Sequence, residues 1–325
     1  METIVSGARP TGRLHLGHLH GALKNWVELQ KNYRCFFFVA DWHALTTDYA
    51  SPQGIRQSAR EMVMDWLSVG LEPDRCVIFR QSRVIEHAEL HLLLSMITPV
   101  PWLERNPTYK EQIRELAAKD LSTYGFLGYP VLQAADIIMY KANRVPVGVD
   151  QAPHVELTRE IVRRFNQIYR PVFPEPEVLL AETQRLPGLD GRKMSKSYNN
   201  AVFLSDPPNE IDQKLSRMMT DPARVTRRDP GEPEKCPAFQ LHKIYCTPDE
   251  IGYVSKGCRT AGIGCLECKK VMIKHVIDDL APFRERRAKY EGRPSDAEDI
   301  LASGSHTAQQ KASETMDEVR AAVGL

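Results

Sequence analysis

With 325 residues, of which 42% are hydrophobic and 26% charged, and a net charge of +1, the chain has the make-up of an ordinary folded protein, neither disordered nor membrane-embedded. Its longest unbroken apolar run, Cys35-Phe36-Phe37-Phe38-Val39-Ala40, is too short to cross a bilayer, and the first twenty residues lack the basic start and apolar block of a signal peptide. A cytoplasmic enzyme is expected, and at ~150 residues per domain, two domains.

Thr3 to Ser6 reads as a short strand ending in Gly7. From Leu16 to Tyr33, apolar residues at Leu16, Leu19, Leu23, Trp26, Val27 and Leu29 have helical spacing, so the chain opens as strand, glycine turn, helix. Cys35 to Ala40 and Cys76 to Arg80 are continuous apolar runs on either side of a helical stretch, Ile55 to Val69. Such alternation predicts a parallel sheet covered on both faces. A third unit follows: an apolar helix from Val131 to Tyr140, a strand Val145-Pro146-Val147, and a helix from about Gln151 to Phe165 with Asp150 as N-cap. Proline inside that strand points to a short or edge position. Beyond Ser197 the strand signals fade, and residues 208–219, 268–288 and 305–323 read as helices. The expected architecture is α/β: a Rossmann-like parallel-sheet domain over residues 1–198, then a mostly α-helical domain over 199–325.

Two short runs carry the chemistry. His15-Leu16-Gly17-His18 opens the first helix, where free backbone N–H groups and the helix dipole favour phosphate. His15 and His18, at i and i+3, share a face. Gly17 lets a flat purine and ribose lie against the backbone while the imidazoles donate to phosphate oxygens. Lys193-Met194-Ser195-Lys196-Ser197 forms a polar loop with two cations and two hydroxyls. Activating a carboxylate with ATP requires in-line attack on the α-phosphorus and positive charge on the departing pyrophosphate, a task for Lys193 and Lys196. Each run alone is weak; together they read as the two halves of one ATP site.

Residues 129–140 pose a second question. The helix is apolar enough to be buried, yet Tyr129, Gln133, Asp136 and Tyr140 fall at i, i+4, i+7 and i+11 on one polar face. A buried carboxylate without a partner is costly, so Asp136 meets either a protein group or a substrate donor. The cysteines pose a third: five of seven lie between Cys236 and Cys268. Cys236, Cys258, Cys265 and Cys268 are spaced C-x21-C-x6-C-x2-C, a set able to hold Zn²⁺ or an iron–sulfur cluster. Around them, residues 221–290 hold 14 Lys and Arg against 10 Asp and Glu, a place for a polyanion to land.

The chain resembles the class I aminoacyl-tRNA synthetases, whose signatures are written HIGH and KMSKS, through His15-Leu16-Gly17-His18 and Lys193 to Ser197. The resemblance extends along nearly the whole sequence through Ser6 to Gly12, Tyr129 to Ile137, Val145 to Gln151 and His154 to Glu160, and narrows to the bacterial-type tryptophanyl enzymes. It implies a homodimer that activates L-tryptophan with ATP and transfers it to tRNA(Trp). It implies catalytic roles for His15, His18, Lys193 and Lys196. For ATP it points to Arg9, Pro10, Thr11, Gly17, His18, Gly148, Val149, Asp150, Leu186 and the loop Lys193, Met194, Ser195, Lys196, Ser197, with Mg²⁺ held mainly by phosphate oxygens. For tryptophan it places Asp136 at the indole N–H. Tyr129, Gln133 and Gln151 fall at the ammonium and carboxylate end, and Val5, Gly7, Val145 and Val147 shape the pocket. A subset of these synthetases carries a [4Fe-4S] cluster at nearly the cysteine spacing found here, and by resemblance that cluster, with Zn²⁺ as the alternative, is expected on Cys236, Cys258, Cys265 and Cys268. There it would staple a tRNA-binding region beside Arg224, Arg227, Arg228, Lys269 and Lys270.

Overall fold

The computed structural model describes residues 1–116, 119–180 and 186–325. Five strands form one parallel sheet: β1 Thr3–Ala8, β2 Arg34–Val39, β3 Cys76–Arg80, β4 Arg144–Val147 and β5 Glu177–Leu180, in the order β3-β2-β1-β4-β5. The run Cys35 to Val39 is buried throughout, as a strand covered on both faces must be. β1 continues through Gly7 and Ala8, past its expected end, because both residues pair with β2 at Phe38 and Val39. A Cβ on Gly7 would collide with the Phe38 ring.

β4 is short, as its proline requires, but it lies inside the sheet between β1 and β5. Its ladder to β1 is the single pair Ile4 and Arg144, whereas its ladder to β5 runs over four residues. On the β1 side the missing Pro146 N–H therefore faces no ladder partner. The strand order reverses between β1 and β4, so their carboxyl ends diverge into a crevice, the place where open parallel sheets bind ligands. Arg9, Pro10 and Thr11 follow the end of β1; Gly148, Val149 and Asp150 follow the end of β4.

The helix carrying Asp136 spans Tyr124–Met139, starting well before Val131, with Thr123 capping it through the Phe126 N–H. The helix after β4 spans Ala152–Ile168. Asp150 is not its cap: Val149–Gln151 forms a 3-10 turn that moves the cap to Gln151, whose side chain makes no capping bond.

Packing divides the chain into two compact units, the described residues of 1–12, 25–182 and 293–325, and those of 13–24 and 183–292. This differs from a linear break at residue 198 in three places. The helix Pro294–Val323 belongs with the sheet, where Ala308, Ala312, Met316 and Val319 enter the main core. The backbone at Gly304 approaches the Ile78 carbonyl so closely that a Cβ would overlap it, and the Arg80 N–H donates to Ser305. The other two are the described residues of 13–24 and 183–198, so that His15 to His18 and the Lys193 loop both belong to the helical unit and not to the sheet. The second unit is otherwise helical, with Pro208–Ser216, Pro237–Tyr245, Pro248–Arg259, Cys265–Asp279 and Ala281–Gly292, and includes a small core of Phe239, Val254 and Ile263.

Candidate active site

In the second unit, His15 is tied to the chain beyond the lysine loop. It bridges Phe203, the Leu16 N–H donates to the Val202 carbonyl at 3.0 Å, and the Leu204 N–H donates to Leu14. The two histidines then cap their own helix. The Gly17 N–H donates to His15 Nδ1 at 3.1 Å, and the His15 N–H donates to His18 Nδ1 at 3.2 Å. This corrects the expectation of free N–H groups for phosphate, since those of Leu16 and Gly17 are already used. The same bonds create better donors. A ring whose Nδ1 accepts must, when neutral, carry its proton on Nε2, so each imidazole keeps one N–H available. Both rings are neutral at pH 7: burial, then the charges of Lys196 and Lys193, bring His15 down to about 4, and burial with the neighbouring His15 and the lysines holds His18 well below its usual range. A π turn, Leu19–Leu23, follows, from which His20 bonds the Tyr245 hydroxyl at 2.7 Å.

The lysine loop is a narrow hairpin held by one side chain. The Met194 N–H donates to the Leu186 carbonyl at 3.0 Å, and Pro187 bridges Lys193. Buried Asn200 accepts from the Ser195 N–H at 2.8 Å and donates to Asp190 at 2.7 Å and to the Lys193 carbonyl at 3.2 Å. Gly188 is obligatory there, because a Cβ would overlap the Asn200 amide. Gly191, at φ +81°, makes the turn. The ring of His15 and the Cβ of Met194 both flank Gly17, which places the two motifs side by side.

In the first unit, Asp136 is completely buried and fully partnered. It accepts from His43 Nε2 at 2.8 Å, His87 Nδ1 at 2.5 Å and Gln81 Nε2, which reaches both oxygens at 2.8 Å. His87 continues to the Tyr140 hydroxyl at 2.7 Å. Burial alone would raise the Asp136 carboxyl, but the hydrogen bonds and charge of His43 and His87 outweigh it and bring the group to about 2. The polar face read from the helix is therefore real, with Tyr129, Asp136 and Tyr140 buried and Gln133 half-buried. Tyr129 shares a 3.1 Å hydrogen bond with buried His154. Val5 and Val145 are sealed in the core, while Val147, Gly148 and Gln151 are half-buried and Gly7, Arg9, Val149 and Asp150 are exposed.

Residues 2–280 match the family of class I tRNA synthetases for tryptophan and tyrosine. A tryptophan–tRNA ligase of Thermotoga maritima is 54% identical, covering 99% of each chain, and one of Ralstonia nicotianae is 48% identical, covering 100% of this chain and 98% of the relative. Among solved structures, the tryptophanyl-tRNA synthetase of Campylobacter jejuni, complexed with ADP and tryptophan, is 31% identical and superposes with a TM-score of 0.89 over the whole of both chains. The chain belongs to the tryptophanyl-tRNA synthetases of class I.

Sequence reasoning missed the partners that make this synthetase's two sites rigid. His43, Gln81, His87 and His154 are single polar residues far in sequence from what they hold, and Asn200 lies just beyond the loop it holds. Their one shared signal is a polar residue beside an apolar run, which is too common to single them out.

The four expected cysteines meet in the second unit. Cys236, Cys258, Cys265 and Cys268 line one cavity together with Arg224, His242 and Lys269. The donor set fits a metal centre. Four thiolates around either a [4Fe-4S] core or Zn²⁺ leave a net negative charge, and two buried cations, Arg224 and Lys269, stand against it. Those cations are accordingly not a surface for polyanions. Arg224 donates to the Ile263 and Arg227 carbonyls, and Lys269 to those of Ser216 and Met218. Arg227, Arg228 and Lys270 remain exposed.

Proposed function

We propose that this synthetase activates L-tryptophan as Trp-AMP and passes it to tRNA(Trp). The observation that carries the reading is the pairing, in one compact unit, of two neutral imidazoles fixed as Nε2–H donors with Lys193 and Lys196. The tryptophan carboxylate attacks the α-phosphorus of ATP, the bond to the β-phosphate oxygen breaks, and pyrophosphate leaves with the electron pair. His15 and His18 donate to phosphate oxygens, and Lys193 and Lys196 offset the charge that builds on the leaving group. Ser195, Ser197, Met194 and Leu186 shape the loop around the triphosphate, and Mg²⁺ travels with it. Arg9, Pro10, Thr11, Gly17, Gly148, Val149 and Asp150 hold ribose and adenine. A ribose hydroxyl of the tRNA 3′ end, the 2′-hydroxyl in this class, then attacks the Trp-AMP carbonyl and AMP leaves.

Asp136 is the acceptor for the indole N–H. A carboxylate has about four acceptor positions, and here the protein fills them, so tryptophan takes over one. His43 yields it, because it alone among the three partners reaches the surface. Tyr129, Gln133 and Gln151 receive the ammonium and carboxylate end, and Gly7 and Val147 bound the indole while Val5 and Val145 support them from the core. ATP–pyrophosphate exchange in the presence of tryptophan, and not of tyrosine, is the expected result; exchange driven by tyrosine alone would reject this specificity.

We further propose that Cys236, Cys258, Cys265 and Cys268 carry a [4Fe-4S] cluster that staples a tRNA-binding region presenting Arg227, Arg228 and Lys270. Spacing and the cavity the four residues share support this. Anaerobically purified protein should be brown with broad absorption near ~400 nm; colourless protein holding zinc would replace the cluster with a zinc site. The enzyme is expected in the cytoplasm as a homodimer, a reading supported by the exposed apolar residues Ile85, Leu92, Met96 and Val100 along and beside the helix Glu86–Ser95.

A further inference from the structure

We infer that a second metal site, for a single divalent cation of zinc type, is built from Cys246, Glu250 and His275. The ligand atoms of Cys246, Glu250 and His275 all lie within 4.8 Å of one another. They come from three different elements: Cys246 ends the helix Pro237–Tyr245, Glu250 stands in the first turn of Pro248–Arg259, and His275 is on Cys265–Asp279. His242 stands behind the sulfur, its Nδ1 3.3 Å from Cys246 Sγ, and acts as a positioning residue. Sulfur, oxygen and imidazole nitrogen supply three of the four ligands of tetrahedral zinc, and water takes the fourth position.

The residues are already supported from behind. Glu250 accepts from the Thr247 N–H at 2.9 Å, which fixes its carboxylate, and both its oxygens lie 2.9 Å from His275 Nε2. His242 Nε2 lies 3.4 Å from the Cys268 sulfur, so the ring is held on both sides. Binding releases one proton, from the Cys246 thiol, and moves the His275 proton to Nδ1 so that Nε2 can ligate. Thiolate and carboxylate then neutralise the cation exactly in charge, which suits a half-buried position. This site is independent of the tryptophan reading. Its three ligands are distinct from the other four cysteines, and His242 lies between the two sets, touching Cys246 and Cys268.

The test is zinc retention by the anaerobically purified, cluster-loaded chain after dialysis against zinc, with iron counted in the same sample and X-ray absorption recorded at the zinc edge. The expected result is one zinc per chain with one sulfur and otherwise nitrogen or oxygen neighbours. C246S and H275Q should each weaken zinc binding by about 100-fold or more with iron content and thermal unfolding unchanged. A single zinc surrounded by four sulfurs, zinc retained undiminished in C246S, or no zinc retained by the wild-type chain would each overturn the proposal. Wild-type protein without iron but with two zincs, one in a four-sulfur shell, would overturn the cluster reading and leave this site in place.

Discussion

Replacing Lys196 with alanine is expected to slow tryptophan-dependent ATP–pyrophosphate exchange by about 10²–10³-fold, the scale set by removing one preorganised group from a developing charge. Tryptophan affinity, measured by equilibrium titration without ATP, should be unchanged. The reason is where the charge acts. Pyrophosphate gains negative charge only as the bond to the α-phosphorus breaks, so a cation facing it stabilises the transition state more than the ground state. The exchange defect should therefore appear in kcat more than in KM. A second readout comes from His15, whose low pKa has burial as its first cause and Lys196 as its second. In K196A the His15 titration, followed by NMR, should move upward part of the way towards its ordinary value. Loss of activity with no movement of that titration would mean that Lys196 does not act at the histidines, and an equal loss of tryptophan binding would make it a general structural residue.

Asp136→Asn is the second large effect. The amide has the shape of the carboxylate but carries an NH2 towards donors. His43, His87 and Gln81, which now share four contacts with the two oxygens, would be left with one acceptor among them. Breaking such a buried set should cost about 3–5 kcal/mol of stability, read from denaturant unfolding. Below the unfolding transition, the tryptophan KM should rise by about 10²–10⁴-fold, since a site built to pair a buried polar group discriminates strongly against losing that pair. ATP affinity should fall far less, because the two histidines and two lysines of the ATP motifs fold in the other compact unit. Destabilisation with an unchanged tryptophan KM would make Asp136 a purely structural anchor for His87 and Tyr140. Equal losses of tryptophan and ATP binding would lead to the same conclusion.

The two predictions differ in how visible their residues were beforehand. Lys193 to Ser197 and His15 to His18 are contiguous strings whose residue types match one chemistry, so the reaction type could be read before any coordinates. Asp136 was legible as a problem, a carboxylate on an apolar helix. Its solution was not, because His43, Gln81 and His87 come from three separate segments brought together by the sheet. Asn200 is similar: it lies three residues beyond the lysine loop, yet nothing in its neighbourhood announces that it holds that loop together.

Local periodicity and composition determined four of the five parallel strands in outline, most of the helices, the ATP motifs and the four-cysteine set, because each depends on residues adjacent in sequence or on a repeat of fixed period. Only the tertiary structure decided the rest. It placed Pro146 inside the sheet by ending the β1 ladder before it. It returned the helix Pro294–Val323 to the sheet through small residues whose close approach has no periodic signature distinct from that of an exposed helix. It also used the first helical N–H, that of Leu16, on the distant Val202 carbonyl. In each case the deciding contact joins residues far apart in the chain, and sequence order carries no information about which distant polar group will meet which.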